Sequence, residues 1–235
     1  MYSKKEILNV FDPDKGYTVY DLPDEFYLWV AKTIGKKLVG DDSIFLNREI
    51  TRDNSVISKL ENIETLGRDV RTVEKEVVEN ASENLLNLLG KVMLQPNSFY
   101  LNDLYFRLVR SSNESEISVP HRDYYFHKIT PSWEHNDKLI DIKLWIPLLL
   151  TSPYAIGVVP GSHMEKDHSV RFYTEGGQKK FLAEHYQESL KPVKVSLGQG
   201  LIFPNNLIHG SLPKGKCGNI RTSAEFTLAY KVKSS

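Results

Sequence analysis

The stretch Gly200-Leu-Ile-Phe-Pro-Asn-Asn-Leu-Ile-His-Gly-Ser211 says most about the fold of this chain. Its apolar run predicts a buried strand that carries His209 into the core. Gly210 has no side chain beyond hydrogen and lets another backbone segment approach closely at that point. We therefore expect His209 to lie inside a β-rich structure.

The strand pattern continues on both sides of this stretch. Short apolar runs broken by turn residues predict strands at 99–109, 141–150, 155–159, 192–195, 200–203 and 223–231. The first part has helical spacing instead, at 25–38 and 70–94. The side expected to face the core carries Phe26, Val30 and Ile34 in the first helix, and Val73, Val77, Ala81, Leu85, Leu88 and Val92 in the second. The sequence predicts one domain over residues 1–235, mainly β with flanking helices (α+β), in which a mostly helical part, 1–95, supports a β core, 96–235.

Composition excludes several classes of function. Thirty basic and thirty acidic residues among 235 give a formal charge of zero, so we expect neither nucleic acid nor an anionic membrane as a partner. The single cysteine, Cys217, excludes an internal disulfide framework and fits a reducing cytoplasm. Neither a signal peptide nor an apolar run of about 20 residues is visible, so a soluble, cytoplasmic protein is expected.

A second candidate metal-binding element is His121-Arg122-Asp123, in an extended-looking segment. The two-residue period of a strand places His121 and Asp123 on one face, where they can share an ion. Two imidazoles and one carboxylate form the facial triad that holds Fe(II) with coordination positions left open. His209 supplies the second imidazole of this prediction.

Two similar motifs compete with this pair. His135-Asn136-Asp137 lies in a polar stretch between two strand candidates, and we interpret it as a solvated loop. His163-Met164-Glu165 follows the turn Pro160-Gly161-Ser162, so His163 is expected to be structural or to lie behind the ligands. A His-x-Asp motif by itself is also consistent with a surface ion pair. The sequence that follows it decides between the ion pair and a metal site.

That context resembles the phytanoyl-CoA dioxygenase family. The segments that carry the resemblance are Asp141-Ile-Lys-Leu-Trp-Ile-Pro-Leu148, Gly157-Val-Val-Pro-Gly-Ser-His163, Gly198-Gln-Gly-Leu-Ile-Phe203, His209-Gly-Ser211 and Arg221-Thr-Ser-Ala-Glu-Phe226. It covers about residues 99 to 231. It implies a double-stranded β-helix, Fe(II), 2-oxoglutarate as cosubstrate and O2.

The resemblance also assigns roles to single residues. His121, Asp123 and His209 match the iron ligands and are thus the expected catalytic centre. Arg221 matches the basic residue that pairs with the distal carboxylate of 2-oxoglutarate, and a guanidinium suits that role because its planar fork fits a carboxylate.

Further contacts to the cosubstrate stay open at this point. Ser211 matches a serine that follows the distal histidine in the family, and Ser223 would complete an Arg-x-Ser pattern of other 2-oxoglutarate enzymes. Lys143, which shares a strand face with Trp145, and Arg107 are alternatives if they face the barrel interior. Both cations fit equally well in ordinary ion pairs, since an unpaired buried charge is costly.

The resemblance implies hydroxylation of an unactivated C–H bond of a small molecule. A sugar or sugar nucleotide of polysaccharide biosynthesis, or a secondary metabolite, is the expected substrate class. Asp123 argues against halogenation, because halogenases of this chemistry replace that carboxylate. Alternatives are a stereoinverting or desaturating enzyme on the same iron centre and a non-enzymatic cupin-like binding module. The sequence does not indicate an oligomeric state.

Overall fold

The computed structural model describes residues 1–46, 54–64, 66, 70–99, 104–125, 138–152, 154–166, 171–175, 178–182, 186–212 and 220–233. The helices are α1 Lys4–Leu8, α2 Asp24–Val39, α3 Asn54–Glu61 and α4 Lys75–Leu89. The strands are β1 Thr18–Asp21, β2 Ser98–Phe99, β3 Tyr105–Arg110, β4 Leu139–Leu150, β5 Tyr154–Val158, β6 Arg171–Glu175, β7 Gln178–Leu182, β8 Lys191–Lys194, β9 Gln199–Pro204, β10 His209–Gly210 and β11 Ile220–Lys231. Among the helices of these residues, none combines the length and apolar character that a bilayer crossing requires.

Two antiparallel sheets form the centre of the molecule. The larger runs β1-β9-β4-β11-β2, with β3 also paired to β11, and the smaller runs β10-β5-β8. Apolar side chains of β4 and β9 pack against those of β5 and β8, which fills the space between the sheets. The fold is mainly β with flanking helices on a double-stranded β-helix (jelly-roll) core, as predicted.

The helices cover the opposite face of the larger sheet. Phe26 of α2 packs on Phe226 of β11 with ring centroids 5.7 Å apart, and Phe99 of β2 approaches the same ring at 4.8 Å. Side chains of all four helices join one continuous apolar cluster with β3, β4 and β11. Helices therefore take up the apolar face of the sheet and leave the other face to the interior of the jelly roll.

Helix α2 agrees with its predicted range of 25–38. Its predicted apolar side, Phe26, Val30 and Ile34, is fully buried. The helix ends where Gly40 adopts a left-handed conformation, with φ of 72°, and donates its N–H to the carbonyl of Lys36. A residue with a β-carbon is disfavoured in that conformation, so the glycine stops the helix.

The second predicted helix is shorter than expected and turned about its axis. It occupies Lys75–Leu89 rather than 70–94, and Val73 precedes it. Val77 was expected to face the core but is 41% exposed. The buried side chains are instead Val78, Leu85 and Leu89. In a helix of 3.6 residues per turn, each step of four residues moves the side chain about 40° further around the axis. A row of apolar residues at that spacing therefore turns away from the core.

Strand β1, in the first part of the chain, was not predicted. Thr18–Asp21 pairs antiparallel with β9, Thr18 opposite Ile202 and Asp21 opposite Gln199. Residues before the β core thus supply an edge strand of the larger sheet as well as helices.

A proline lies in the middle of the central strand β4. Pro147 cannot donate a ladder hydrogen bond, so such a residue requires an irregular position in a sheet. The register of β11 against β4 shifts between Thr222, opposite Leu149, and Ser223, opposite Pro147. The bulge accommodates the proline next to the part of β11 that carries Arg221.

Candidate active site

His121 and His209 face each other across an isolated antiparallel bridge. Each backbone N–H donates to the carbonyl of the other residue at 2.9 Å. A β-carbon at Gly210 would come within 3.0 Å of the backbone of Pro120, which is the close approach expected for this glycine. The bridge fixes the two imidazoles side by side, with ring centroids 4.5 Å apart.

A carbonyl oxygen orients each imidazole. Nδ1 of His121 donates to the carbonyl of Val119 at 2.8 Å, and Nδ1 of His209 donates to that of Leu207 at 3.0 Å. A carbonyl only accepts, so the proton of each neutral ring resides on Nδ1 and the lone pair on Nε2. Both Nε2 atoms point at Asp123.

The carboxylate of Asp123 completes the cluster. Its Oδ1 lies 3.7 Å from Nε2 of His121, and its Oδ2 lies 3.7 Å from Nε2 of His209. One ligand atom from each of the three residues lies within 4.8 Å of the others. Burial, together with the neighbouring His209, lowers the pKa of His121 from 6.5 to about 4. A neutral imidazole is the form that binds metal, so the donor set suits a divalent ion.

Arg221 lies at the start of β11 in the same interior. Its side chain is 4% exposed, and Nη2 donates to Oγ of Ser211 at 3.0 Å. Ser211 Oγ also accepts from the backbone N–H of Ser118 at 3.1 Å. The hydroxyl of Ser211 therefore accepts from both neighbours, and it also lies 3.2 Å from Oγ of Ser118, to which it can donate its own proton. Ser211 follows His209 by two residues, so this pair lies beside the histidine–aspartate cluster.

Ser223 shares a face of β11 with Arg221 because strand side chains alternate. It is fully buried. Its hydroxyl has no hydrogen-bond partner among the residues that the structure describes. A buried hydroxyl in that state favours a ligand acceptor.

Lys143 and Arg107 both face the interior, with different neighbours. Lys143 pairs with Asp123 Oδ2 at 3.7 Å and donates to Oγ1 of Thr227 at 3.0 Å. Arg107 lies opposite Ser223 in the sheet, and its Nη2 donates to the carbonyl of Glu116 at 3.0 Å. The structure thus brings Arg107 next to Ser223, and Lys143 next to the histidine–aspartate cluster.

His163 lies away from the cluster. Its Nε2 contacts the carbonyl oxygen of Pro13 at 3.0 Å, and its ring packs edge-on against Phe11 with centroids 5.8 Å apart. A β-carbon at Gly16 would lie 2.3 Å from Nδ1 of this ring. His163 is structural, as expected. The competing motif at 135–137 and Cys217 lie outside the described residues.

Arg122 was not predicted to have a role. It lies between the two candidate ligands of the segment 121–123, which forms an isolated bridge followed by a turn rather than the extended segment that was expected. Its side chain points away from theirs, is 2% exposed, and reaches the loop of residues 160–165. The alternation that places His121 and Asp123 on one face predicts a different environment for the residue between them. This alternation therefore sets Arg122 apart from its two neighbours but does not indicate which residues it contacts.

A jelly roll with two histidines and an aspartate clustered in its interior, beside a buried arginine, defines an Fe(II)- and 2-oxoglutarate-dependent oxygenase. The family model described as phytanoyl-CoA dioxygenase (PhyH) matches residues 35–217. The chain belongs to this family and is an Fe(II)/2-oxoglutarate-dependent oxygenase. No curated protein matches the chain.

Similar solved structures include EctD from S. alaskensis in its apoform, 14% identical, covering 97% of this chain and 77% of that one with a TM-score of 0.47. AviO1 from Streptomyces viridochromogenes is 16% identical over 94% of this chain and 93% of that one, with a TM-score of 0.44. EvdO2 from Micromonospora carbonacea, complexed with 2-oxoglutarate, is 9% identical over 100% of this chain and 94% of that one, with a TM-score of 0.45.

Proposed function

We propose that this oxygenase hydroxylates an unactivated C–H bond of a small molecule, with iron held by His121, Asp123 and His209. The observation that carries the proposal is the convergence of one ligand atom from each residue within 4.8 Å. Two neutral imidazoles and one carboxylate would hold the ion and leave coordination positions open for the cosubstrate and O2. Asp123 keeps one position as carboxylate, which disfavours halide.

We propose that Arg221 receives the distal carboxylate of 2-oxoglutarate. The buried Arg221–Ser211 contact at 3.0 Å supports this, because it fixes one end of the guanidinium and directs its fork into the interior. Ser211 and Ser223 each offer a hydroxyl toward the same carboxylate. Charge-assisted hydrogen bonds in a partly desolvated site are stronger than the same bonds in water.

Lys143 and Arg107 are proposed as secondary contacts. Lys143 stands beside Asp123, so its ammonium balances that carboxylate and would face any acidic group bound near the iron. Arg107 already donates to a backbone carbonyl and has fewer donors left for the cosubstrate.

Bound iron with 2-oxoglutarate and O2 supplies the oxidation, in which R–H, 2-oxoglutarate and O2 give R–OH, succinate and CO2. The chain's residues prepare for it. Val119 and Leu207 keep Nε2 of each histidine available through their carbonyls. Arg221 and Ser211 orient the keto acid, and the apolar cluster between the sheets limits access of water.

The decisive experiment measures succinate and product mass together. The protein is incubated with Fe(II), ascorbate, 2-oxoglutarate and a panel of sugars and sugar nucleotides. We expect succinate and a product heavier by one oxygen atom, and we expect His121→Ala and His209→Ala to lose both. Product of unchanged mass would indicate stereoinversion, and loss of two hydrogens desaturation. Absence of succinate under all conditions would contradict the proposal.

A further inference from the structure

The loop of residues 160–165 contacts both segments that carry candidate metal ligands. Ser162 Oγ accepts the backbone N–H of Ile208 at 2.9 Å, one residue before His209. The side-chain amide of Asn206 donates to the carbonyl of His163 at 2.7 Å. These two hydrogen bonds therefore fix the segment that leads to His209.

Its other side holds the segment of His121 and Asp123 through Arg122. Nη2 of Arg122 donates to the carbonyl of Ser162 at 3.0 Å and to Oε2 of Glu165 at 2.8 Å. The guanidinium also lies over the ring of Tyr125, 6.0 Å from its centroid. Glu165 in turn accepts from the hydroxyl of Tyr186 at 3.2 Å.

The backbone bridge holds His121 and His209 directly, whereas Asp123 lies beyond it, before a further backbone hydrogen bond from Tyr124 to the carbonyl of Asn205 at 2.9 Å. Asp123 lies two residues past the bridge, where the segment turns away toward Tyr125. A charge-assisted contact from Arg122 to the loop fixes the segment between the bridge and the carboxylate. Ser162 contacts both segments that carry candidate ligands. Its hydroxyl accepts from the segment of His209, and its carbonyl accepts from Arg122.

We propose that Arg122, anchored on Ser162 and Glu165, is a positioning residue that sets the spacing between the carboxylate of Asp123 and the two imidazoles. It does not contact the metal. This inference rests on the proposed function, in which those three residues hold the ion.

The test is anaerobic titration of the metal-free full chain with Co(II), followed by visible absorption. Loss of a group that orients metal ligands commonly costs about 10- to 100-fold in affinity, and we expect a loss in that range for Arg122→Met. Arg122→Lys keeps one donor and the charge, so it should recover part of the affinity. The coordination spectrum of Arg122→Met should also differ from that of the wild type.

Arg110→Met is the matched control. Arg110 is also a buried arginine on a carboxylate, Glu116, but it ties β3 to the carbonyl of Glu61 at the end of α3. Its loss should lower stability and leave Co(II) affinity within about threefold. A folded Arg122→Met protein with wild-type affinity and spectrum would overturn the inference.

Two more variants keep the outcome clear. Glu165→Ala removes the carboxylate that accepts from Arg122, at a half-exposed position, and should lower Co(II) affinity about 3- to 10-fold, so it decides the question if Arg122→Met does not fold. Wild-type affinity in Glu165→Ala would then count against the inference. His209→Ala separates the two proposals: if it also binds Co(II) normally, the ligand assignment itself fails.

Discussion

The two faces of strand β11 differ completely, although their residues alternate along one chain segment. One face carries Ala224, Phe226, Leu228 and Tyr230, which are all buried under helices and neighbouring strands. The other carries Arg221, Ser223, Glu225 and Thr227. A period of two thus separates residues that hold the fold from residues proposed to bind ligands.

This separation explains how a polar interior is tolerated. Burial of apolar area against the helices stabilises the larger sheet from outside. The interior face can then carry charged groups, each with a defined partner: Arg221 with Ser211, Lys143 with Asp123 and Thr227. We expect changes on the two faces to have different consequences.

Deleting residues 1–95 should have the largest effect. The deletion uncovers the apolar face of the larger sheet and removes β1 from the edge of β9. We expect insoluble protein, measured as the soluble fraction on expression beside the full chain. A soluble fragment 96–235 that binds iron would show that the first part is a separable module.

Phe226→Ala tests the helix-covered face alone. Removing a fully buried phenylalanine that packs against Phe26 and Phe99 should lower the free energy of unfolding by about 3–5 kcal/mol. Denaturant unfolding measures it. Metal affinity of the folded fraction should stay at the wild-type value, and a parallel loss of metal affinity would contradict the separation of faces.

Arg221→Leu tests the interior face. Loss of a charge-assisted pair from a partly desolvated site costs about 2–5 kcal/mol, or roughly 30-fold to several thousand-fold in affinity for 2-oxoglutarate. Iron affinity should change little, and Arg221→Lys should recover part of the loss. Titration of the anaerobic Fe(II) protein, followed by the visible charge-transfer band, measures both. Unchanged affinity in Arg221→Leu would transfer the role to Arg107 or Lys143.

His163→Ala should have the smallest effect on the site. Its ring packs on Phe11 and Pro13, outside the ligand cluster, so iron affinity should remain within a few-fold of wild type. A modest loss of thermal stability is expected. A severe loss of iron binding would mean that the contact with residues 11–16 matters to the site itself.

The sequence predicted the parts of the molecule that follow from local periodicity. The runs at 141–150 and 223–231 became the paired strands β4 and β11, and the two-residue period placed Lys143 on the same strand face as Trp145. His121 and Asp123 also come together, but Asp123 does so from a turn that follows the bridge and not from the strand that was expected. The placement of His209 beside His121 rested on ligand chemistry and on the family resemblance. Each of these predictions depends on the types of the residues themselves.

Errors arose where a contact depends on distant residues. Strand β1 has no strong apolar alternation and exists because β9 offers it an edge. The buried side of α4 is the one that packs against α2 and β2, and the spacing of its apolar residues does not specify those neighbours. Arg122 became a buried link only because the loop at 160–165 folds against it, and nothing in the neighbouring residues specifies that partner.

The bridge between His121 and His209 also bears on how well the protein resists proteolysis. It closes a loop containing most of the β-rich part, and closing so long a loop costs conformational entropy. An ion that binds only the closed form adds about 2.7 kcal/mol at a concentration 100-fold above its Kd. With iron held as proposed, the ion would oppose opening of this bridge, and we expect chains short of metal to be cleaved by proteases sooner than loaded chains.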